Sequence, residues 1–267
     1  MIVNKLRGHS GCTIYLCEQN NKKFVRKISK SKDYNGRLRI QAEKQDSFDS
    51  DFLKTPKILD DGSFKGLYYF DMQYISGVQF SNFISTNTPQ SIEPFLDKLL
   101  AHIKSNRDEK KDYTIQIQEK IKDIESISLI DIEESKKYCL DFDWSNISSG
   151  QCHGDLTFEN MLVYKSELFL IDFLDSFIDT IFIDISKIVQ DTVLLWSWRH
   201  TAHSPVIKNI YIHNRIFPSF SFTEQQIISR LLVLNLLRIL PYSNKKTCAM
   251  IENRLYYIMK RLKECEL

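Results

Sequence analysis

The chain has 267 residues, of which 43% are hydrophobic and 26% charged, close to the averages of globular proteins. This composition excludes a disordered tail, a collagen-like chain and a coiled-coil rod. Thirty-six lysines and arginines stand against 34 aspartates and glutamates. The resulting net charge of +2 gives no general reason to expect nucleic acid or an anionic membrane as a partner. A chain of this length forms one large domain or two lobes.

The cysteines and the apolar segments indicate a soluble, cytoplasmic protein without membrane insertion. The six cysteines form no CxxC pair, which argues against a zinc finger or a disulfide framework and favours buried, reduced thiols. They are Cys12, Cys17, Cys139, Cys152, Cys248 and Cys265. The start of the chain, MIVNKLRGHSG, is too polar for a secretion signal. The apolar run IISRLLVLNLLRILPY contains two arginines and an asparagine, so it predicts a buried amphipathic helix rather than a membrane span.

The first part of the chain is rich in predicted strands. Residues 1–30 predict strands and turns, with the GHSG turn before the alternating TIYLC and an NNKK turn before FVRKIS. Residues 38–53 have a sparse helical pattern, and a strand is predicted at 56–59. A turn at Asp61–Gly62 leads into GLYYFDMQYI, whose aromatic and β-branched content suits a buried strand. We therefore place a strand-rich N-terminal lobe at residues 1–76.

The remaining chain, residues 77–267, is predicted to form a mainly helical C-terminal lobe. The segment SIEPFLDKLLAHI places its apolar residues at helical spacing. In the charge-rich stretch that follows, Ile117, Ile121 and Ile124 form one apolar stripe, and we interpret the charges as a solvated face. Two short apolar strands flank residues 165–167 and predict a hairpin within this lobe. The organisation as a whole is of the α+β class.

The strongest functional signal lies between His153 and Asp172. In HGDLTFEN, Asp155 stands five positions before Asn160, and Asp172 ends the apolar strand LFLID seventeen residues after Asp155. Phosphoryl transfer from a nucleotide requires oxygen ligands for magnesium and a carboxylate near the attacking hydroxyl. Taken singly, these residues would be ordinary loop groups or a strand-end cap. In this order and spacing, a loop and a hairpin can bring all of them into one site.

The same motifs resemble those of a known family. HGDLTFEN and LIDF are similar to the HGDxxxxN motif and the metal-binding aspartate strand of the aminoglycoside phosphotransferase and choline kinase family, which has a bilobal protein-kinase-like fold. The resemblance implies that Asp155 is the catalytic base and that Asn160 and Asp172 hold magnesium. It also implies that His153 fixes the backbone of the loop. Asp184, in FIDISK, looks like the later aspartate that braces the catalytic loop in this family.

A kinase also needs backbone amides near the phosphates of its nucleotide. The segment GHSGCTIY can supply a phosphate-facing turn, because Gly8, Ser10 and Gly11 allow close approach. It lacks the GxGxxG pattern of protein kinases, so a simple hairpin turn is the alternative interpretation.

The family resemblance extends to a lysine and to the segment between the lobes. Lys27, in FVRKIS, falls where the family's strand lysine would lie, and Glu43 on the following helix looks like its carboxylate partner. Arg26 points to the opposite face of the strand and would replace Lys27 if the register were shifted by one residue. YFDMQYISG resembles the hinge of the family, in which backbone groups between Gln73 and Ile75 would meet the adenine.

Two absences favour a small-molecule acceptor over a protein. Only 12 positions separate Asp172 from Asp184, without an APE-like ending, so there is little room for the activation segment of a protein kinase. Glycine follows His153, where protein kinases commonly carry arginine. Residues 175–267 hold twelve lysines and arginines against eight aspartates and glutamates. This balance favours a neutral or anionic acceptor, such as a sugar or polyol, over an amine-rich aminoglycoside or choline.

Some residues after Asp172 are candidates for contact with the acceptor. Asp175 follows the predicted metal ligand closely, although a turn cap is an alternative role. Trp196 and Trp198 can form a stacking wall for a sugar ring, and Arg199 can pair with an anionic group. The alternative is that the tryptophans belong to the core and that the arginine is solvated. The run from LIDFLDSF to ISKIVQD also resembles kinases of bacterial surface-glycan pathways.

From the sequence we expect a kinase that uses ATP or GTP with Mg²⁺ and phosphorylates a hydroxyl group of a small molecule, a sugar or polyol. Three alternatives remain open. The protein would otherwise be a pseudokinase that binds a nucleotide or a partner without catalysis, an aminoglycoside or choline kinase, or a protein kinase.

Overall fold

The computed structural model of the protein describes residues 2–6, 11–124 and 132–264. The chain divides into two compact units. Unit 1 consists of Met1–His102 and His153–Asp175, and unit 2 consists of Ile103–Cys152 and Ser176–Leu267. The sequence-based lobe boundary after residue 76 does not coincide with these limits and stays a prediction.

Within the described residues, the strands and helices follow in an order close to that expected from the sequence. The strands are β1 (Ile2–Leu6), β2 (Cys12–Gln19), β3 (Lys22–Ser29), β4 (Ile58–Phe64), β5 (Leu67–Gln73), β6 (Val78–Gln79), β7 (Lys110–Lys111), β8 (Ile147–Ser148), β9 (Met161–Tyr164) and β10 (Glu167–Leu170). The helices are α1 (Asn35–Asp46), α2 (Phe80–Thr86), α3 (Pro89–Ser105), α4 (Thr114–Lys122), α5 (Glu133–Leu140), α6 (Ile181–Leu194), α7 (Val206–Ile216), α8 (Phe222–Leu237) and α9 (Lys245–Lys263).

Unit 1 is built on an antiparallel sheet with the strand order β1-β2-β3-β5-β4. The strands predicted in residues 1–30 and in GLYYFDMQYI are found as β1, β2, β3 and β5. The strand predicted at 56–59 begins only at Ile58, and the predicted turn at Asp61–Gly62 is wrong. Strand β4 continues through both residues, and Tyr68 on β5 donates a hydrogen bond of 3.1 Å to the carboxylate of Asp61. The chain turns instead at Lys65 and Gly66, whose φ angles are 53° and 78°. Glycine adopts this left-handed conformation without steric cost, which makes Gly66 the better turn residue.

Helix α1 packs on one face of this sheet. Its buried residues recur at the spacing of a single helical face, and they are Leu38, Gln41, Ala42 and Gln45. The apolar members join a core cluster with residues of β2, β3 and β5 that includes Val25 and Phe70. Only two of the four inward positions of α1 are apolar, which explains why the helical pattern of this segment is sparse in the sequence.

The hairpin of β9 and β10 belongs to unit 1, and its two strands are those predicted around residues 165–167. Strand β9 also pairs with β6, so that β10, β9 and β6 form a second sheet. On the other side of the hairpin, the backbone of Lys54 donates to Leu168 at 2.9 Å and accepts from Leu170 at 2.8 Å. These hydrogen bonds fix the hairpin between the segment before β4 and the segment before α2.

Unit 2 is mainly helical, as expected. Almost every residue of α6 is buried, and Asn235 of α8 donates a buried hydrogen bond of 2.8 Å to Ser186 of α6. Helix α8 begins with a capping box formed by Ser221 and Glu224 and contains most of the run that predicted a buried helix. The predicted apolar stripe of Ile117, Ile121 and Ile124 is buried.

The cysteines agree with the sequence prediction where the structure describes them. Cys12, Cys17, Cys139, Cys152 and Cys248 are buried and take part in no disulfide, whereas Cys265 lies outside the described residues. In the same part of the chain, no helix combines the length and the apolar character that crossing a membrane requires.

The packing of α1 on the sheet can be tested with two truncations on the same helix. Leu38 is 0% exposed and Ile40 is 43% exposed. We expect Leu38→Ala to lower the free energy of unfolding by about 2–5 kcal/mol, because it leaves a cavity between α1 and the sheet. Ile40→Ala should change it by less than about 0.5 kcal/mol. Urea denaturation measures both values, and equal effects of the two substitutions would contradict the observed orientation of α1.

Candidate active site

The segment HGD in unit 1 makes a tight turn that presents Asp155. Gly154 has a φ of 88°, a conformation that residues with a Cβ rarely adopt. The carbonyl of Asp155 accepts a hydrogen bond of 2.7 Å from the backbone of Thr157, and the backbone of Asn160 donates to Thr157 at 2.9 Å. Glycine at position 154 is therefore required by the turn itself, and the turn keeps Asp155 and Asn160 near each other.

The buried imidazole of His153 holds this turn against the strand that precedes Asp172. Its Nδ1 accepts from the backbone N–H of Asp155 at 3.2 Å, so Nε2 carries the proton and donates to the carbonyl of Ile171 at 2.8 Å. Burial lowers the pKa of His153 to about 4, more than nearby Asp155 and Asp172 can offset, and the ring is neutral at pH 7. A neutral imidazole can make both hydrogen bonds, whereas the protonated form could only donate.

Asn160 is bound directly to Asp155. Its Nδ2 donates to the carbonyl of Asp155 at 2.8 Å and to the carboxylate Oδ2 at 3.0 Å. The backbone carbonyl of Asn160 accepts from Ile171 at 2.9 Å, which brings Asn160 next to the residue before Asp172. The three motif residues Asp155, Asn160 and Asp172 therefore belong to one connected group within unit 1.

Aromatic side chains pack around the segment that contains Asp155, Asn160 and Asp172. Phe158, in the short turn before Asn160, is fully buried and lies edge-on against Phe80 of α2 at 5.5 Å. The ring of Phe173 lies 4.3 Å from that of His153 and 5.3 Å from that of Phe48. These contacts connect the turn and the residue after Asp172 to the rest of the core of unit 1.

Lys27 and Asp172 form an ion pair across unit 1. The side chain of Lys27 is almost fully buried, and its Nζ lies 2.5 Å from Oδ1 of Asp172, which is about one-third exposed. Burial alone would lower the pKa of Lys27, but the carboxylate of Asp172 outweighs that effect and raises the pKa above its ordinary value. Asp172 has a φ of 66°, an uncommon conformation for a residue other than glycine. The pair connects β3 to the end of the HGD hairpin.

The alternation of β3 separates Lys27 from Arg26. Arg26 lies on the other face of the sheet, where its Nε and Nη2 both donate to the carboxylate of Asp71 at 2.7 Å. Its guanidinium also stacks on Tyr69 at 4.3 Å. Asp71 is the cross-strand partner of Arg26 on β5, so this bidentate pair stabilises the sheet itself.

The structure corrects the expected partner of Lys27. Glu43 is exposed on α1, and the carboxylate bound to Lys27 is that of Asp172. The position of Glu43 on the helix turns it away from the sheet, while Gln41 and Gln45 point inward. Lys44, which the sequence analysis did not consider, donates from Nζ to the carbonyl of Leu174 at 3.2 Å and thereby holds α1 against the segment after Asp172.

Of the proposed phosphate-facing turn, Gly8 and Ser10 lie outside the described residues. Gly11 is described, and a Cβ at this position would overlap the ring of Tyr34. The hydroxyl of Tyr34 accepts a hydrogen bond of 3.2 Å from Nε2 of Gln41, and Oε1 of Gln41 is buried without a partner among the described residues. Glycine at position 11 is thus required by close packing against Tyr34.

The expected hinge residues lie at the end of β5. Gln73 is exposed, and its backbone N–H already donates to the carbonyl of Lys57 at 2.9 Å. Ile75 is buried. Of the backbone groups between Gln73 and Ile75 that are predicted to meet adenine, the N–H of Gln73 is therefore already bonded to Lys57.

The other predicted site residues are distributed over both units. Asp175 is partly exposed and ends unit 1, three residues after Asp172. Asp184, Trp196 and Arg199 belong to unit 2. Asp184 is buried in the first part of α6, while Trp196 and Arg199 are partly exposed in and after the short helical turn that follows α6.

A magnesium ion can be tested against the side chains present. The described residues contain no group of three or more His, Cys, Asp and Glu side chains arranged to hold a metal ion. Mg²⁺, however, typically takes only one or two protein carboxylates and completes its shell with water and phosphate oxygens. Asn160 uses Nδ2 to bind Asp155, which leaves its Oδ1 as a ligand, and Asp172 is partly exposed. This pair of oxygen donors fits an ion held jointly with phosphates.

Comparison with solved structures identifies the fold. A thermostable mutant of aminoglycoside phosphotransferase APH(4)-Ia, in a ternary complex with AMP-PNP and hygromycin B, matches with a TM-score of 0.68 and 14% identity over 96% of this chain and 92% of that chain. The choline kinase LicA from Streptococcus pneumoniae matches with a TM-score of 0.64 and 15% identity over 97% and 94%. A putative fructosamine-3-kinase from Haemophilus somnus 129PT matches with a TM-score of 0.59 and 13% identity over 97% and 92%.

These similarities confirm the α+β class and the protein-kinase-like fold expected from the sequence. No protein-family model matches the chain, and no curated protein matches it by sequence. The identities of 13–15% show a shared fold and leave the activity to be argued from the residues of this chain.

The packing around the site predicts a pH-dependent stability. His102 of α3 is buried, its ring lies 5.2 Å from Phe48, and burial lowers its pKa from 6.5 to about 4. Between these values the unfolded chain binds a proton that the folded chain does not, so the free energy of unfolding falls as the pH drops below about 6.5. We expect His102→Gln to reduce this loss between pH 7 and pH 4 by up to about 3 kcal/mol. Urea denaturation at several pH values measures it, and parallel curves for the two proteins would contradict the assignment.

Proposed function

We propose that the protein is a phosphotransferase that moves the γ-phosphate of ATP to a hydroxyl group of a small molecule, with a sugar or polyol as the acceptor. One observation carries the proposal: Lys27, Asp155, Asn160 and Asp172 are connected through short contacts within unit 1. These are the residue types that phosphoryl transfer needs, namely a cation for the phosphates, oxygen ligands for a metal ion and a carboxylate for the attacking hydroxyl. The fold shared with small-molecule kinases supports the proposal.

Asp155 is the proposed proton acceptor. Its carboxylate is partly exposed and is held by Nδ2 of Asn160, so its orientation is set before the acceptor arrives. The neutral His153 fixes the backbone of Asp155 without placing a second positive charge beside the carboxylate. We therefore assign to Asp155 the role of accepting the hydrogen bond and then the proton of an acceptor hydroxyl.

Lys27 is the proposed phosphate-binding cation. Its ammonium carries three donors, so it can contact a phosphate oxygen while it keeps its bond to Asp172. The raised pKa of Lys27 keeps this group charged throughout the physiological pH range. Asn160 and Asp172 would hold Mg²⁺, which when bound neutralises charge on the phosphates.

Two observations support the assignment of the acceptor. The segment between β10 and α6 is short and contains no helix or strand, which leaves little space for a platform that binds a protein substrate. The positive balance of residues 175–267 disfavours a polycationic acceptor. Asp175, Trp196 and Arg199 are the residues that we assign to the acceptor, and we place the reaction in surface-glycan metabolism.

The aminoglycoside and choline kinases among the similar structures favour a second candidate, an amine-bearing acceptor. A pseudokinase that binds a nucleotide without turnover is the remaining alternative.

A cytoplasmic location is part of the proposal, because ATP is available there and the described cysteines form no disulfide. We assign GTP as the alternative donor.

Substitution of the proposed base provides the first test. Asp155→Asn keeps the side-chain shape but cannot accept the proton, so we expect kcat to fall by about 100- to 10,000-fold while the Kd for ATP changes little. Nucleotide consumption with a panel of sugars, polyols, aminoglycosides and choline measures turnover, and calorimetry measures the Kd. Glu167→Gln, which alters an exposed carboxylate on β10, is the control and should retain activity. Full turnover by pure Asp155→Asn would exclude the assigned role.

The two faces of β3 provide a second test with a matched pair of variants. Lys27→Met removes the proposed phosphate-binding charge, and we expect kcat/KM for ATP to fall by roughly 100-fold or more. Arg26→Met removes the adjacent charge on the opposite face and should lower stability through loss of the Asp71 pair, while kcat/KM for ATP stays close to that of the unsubstituted protein. Nucleotide kinetics and urea denaturation separate these effects. A loss of kcat/KM for ATP in Arg26→Met but not in Lys27→Met would place the nucleotide on the other face of the sheet.

A further inference from the structure

The turn after α6 in unit 2 holds Trp196 in a defined position. Helix α6 is followed by Leu195, which has a left-handed backbone conformation (φ 54°, ψ 42°) although it is not a glycine. Two residues later, the backbone N–H of Ser197 donates a hydrogen bond of 2.7 Å to the buried carboxylate of Asp191. These features direct the chain out of α6 and fix the short helical turn that contains the partly exposed indole.

Two guanidinium groups lie against this indole. The guanidinium carbon of Arg199 is 4.8 Å from the centre of the Trp196 ring, and that of Arg254 on α9 is 5.0 Å from it. Arg199 also donates from Nη1 to the carbonyl of Trp196 at 2.8 Å. The sequence placed Arg199 near Trp196, whereas only the folding of α9 brings Arg254 to the same ring.

The cluster formed by Trp196, Ser197, Arg199 and Arg254 contains buried polar atoms that lack hydrogen-bond partners among the described residues. Nη1 of Arg254 and Oγ of Ser197 are both shielded from solvent, and neither has a hydrogen-bond partner within the described part of the chain. A buried charged donor without an acceptor is unfavourable, because it has lost its hydrogen bonds to water and makes none within the protein to replace them. A ligand that brings acceptor oxygens to these atoms would remove that penalty.

The neighbouring charges act on Arg254 in opposite directions. Burial and the nearby Arg199 lower the pKa of Arg254 to about 10, although Asp191 acts to raise it. The carboxylate of Asp191 also accepts a hydrogen bond from the backbone of Ser197. An anion bound beside Arg199 and Arg254 would reduce the repulsion between the two guanidinium groups.

We propose that Trp196, Ser197, Arg199 and Arg254 bind a phosphate or carboxylate group of the acceptor, so that the acceptor is an anionic sugar or polyol derivative rather than an amine. This inference rests on the proposed function, in which Trp196 and Arg199 contact the acceptor. The exposed part of the indole supplies apolar surface for the carbon skeleton. The two guanidinium groups supply paired donors of the geometry that matches phosphate and carboxylate oxygens.

A direct binding measurement tests the site without any turnover. Calorimetry with inorganic phosphate, a hexose 6-phosphate, a hexuronate and the neutral hexose should show binding of the anionic compounds and weaker binding of the neutral one. Arg254→Met keeps the length of the side chain and removes its charge, and we expect it to raise the Kd of the anions roughly tenfold or more. The comparison of phosphate with carboxylate compounds shows which anion the site prefers.

Two control variants make the measurement specific. Arg261→Met removes one positive charge from the same helix, where Arg261 contacts Tyr257 rather than Trp196, and it should leave the Kd unchanged. Anion binding should also persist in Lys27→Met, which separates this site from the proposed nucleotide site in unit 1. In steady-state kinetics, Arg254→Met should raise KM for the anionic acceptor and leave kcat close to its original value.

The outcomes distinguish the inference from the proposed function. Equal kcat/KM for neutral and anionic acceptors, or an anion Kd that Arg254→Met does not change, overturns the inference and leaves the kinase assignment standing. Arg254-dependent binding of anions without turnover of any acceptor supports the anion site and overturns the proposed function. If Arg254→Met is unfolded in urea denaturation, Arg254→Lys and Ser197→Ala replace it, and unchanged anion binding in both counts against the site.

Discussion

Burial of the Lys27 ammonium is the constraint on which the arrangement of unit 1 depends. A charge enclosed in this way costs several kcal/mol unless a group of opposite charge accompanies it. The only ion pair found for Lys27 among the described residues is with Asp172, 145 positions further along the chain. Strand β3 and the end of the β9–β10 hairpin therefore have to meet, and the left-handed backbone of Asp172 is part of the geometry that allows it. Removal of the Asp172 carboxylate would leave the Lys27 ammonium buried without its ion-pair partner.

The HGD turn depends on the same hairpin through polar groups that must all be satisfied. His153 joins the backbone of Asp155 to that of Ile171, and it can do so only as a neutral imidazole, since one of its nitrogens has to accept. Asn160 then connects the carboxylate of Asp155 to the strand that leads to Asp172. Each residue of the motif thus makes a contact that stabilises the turn, in addition to its proposed role in phosphoryl transfer. The stability of the turn and the proposed chemistry therefore require the same side chains in the same positions.

The differences between the sequence-based expectations and the structure have local physical causes. The alternation of a strand predicted that Lys27 and Arg26 face opposite sides, but the sequence did not decide which side meets the motif residues. Helix α1 has few apolar residues, so the sequence pattern determines the rotation of the helix about its axis only weakly. The partner role that the resemblance implies for Glu43 does not hold, because Gln41 and Gln45 lie on the buried face instead. The turn predicted at Asp61–Gly62 relied on a dipeptide that often turns, whereas the pairing of β4 with β5 extends two residues beyond it.

The sequence by itself determined the α+β class, most of the strands and helices, and the set of residues between His153 and Asp172, because these depend on local periodicity and on residue types at short spacing. Only the tertiary structure decided which residues from distant segments pair: Lys27 with Asp172, and Arg254 with Trp196. Such pairs depend on how helices and strands pack, and packing is set by the shape and burial of many side chains together. A local pattern carries no information about a partner that lies dozens of residues away.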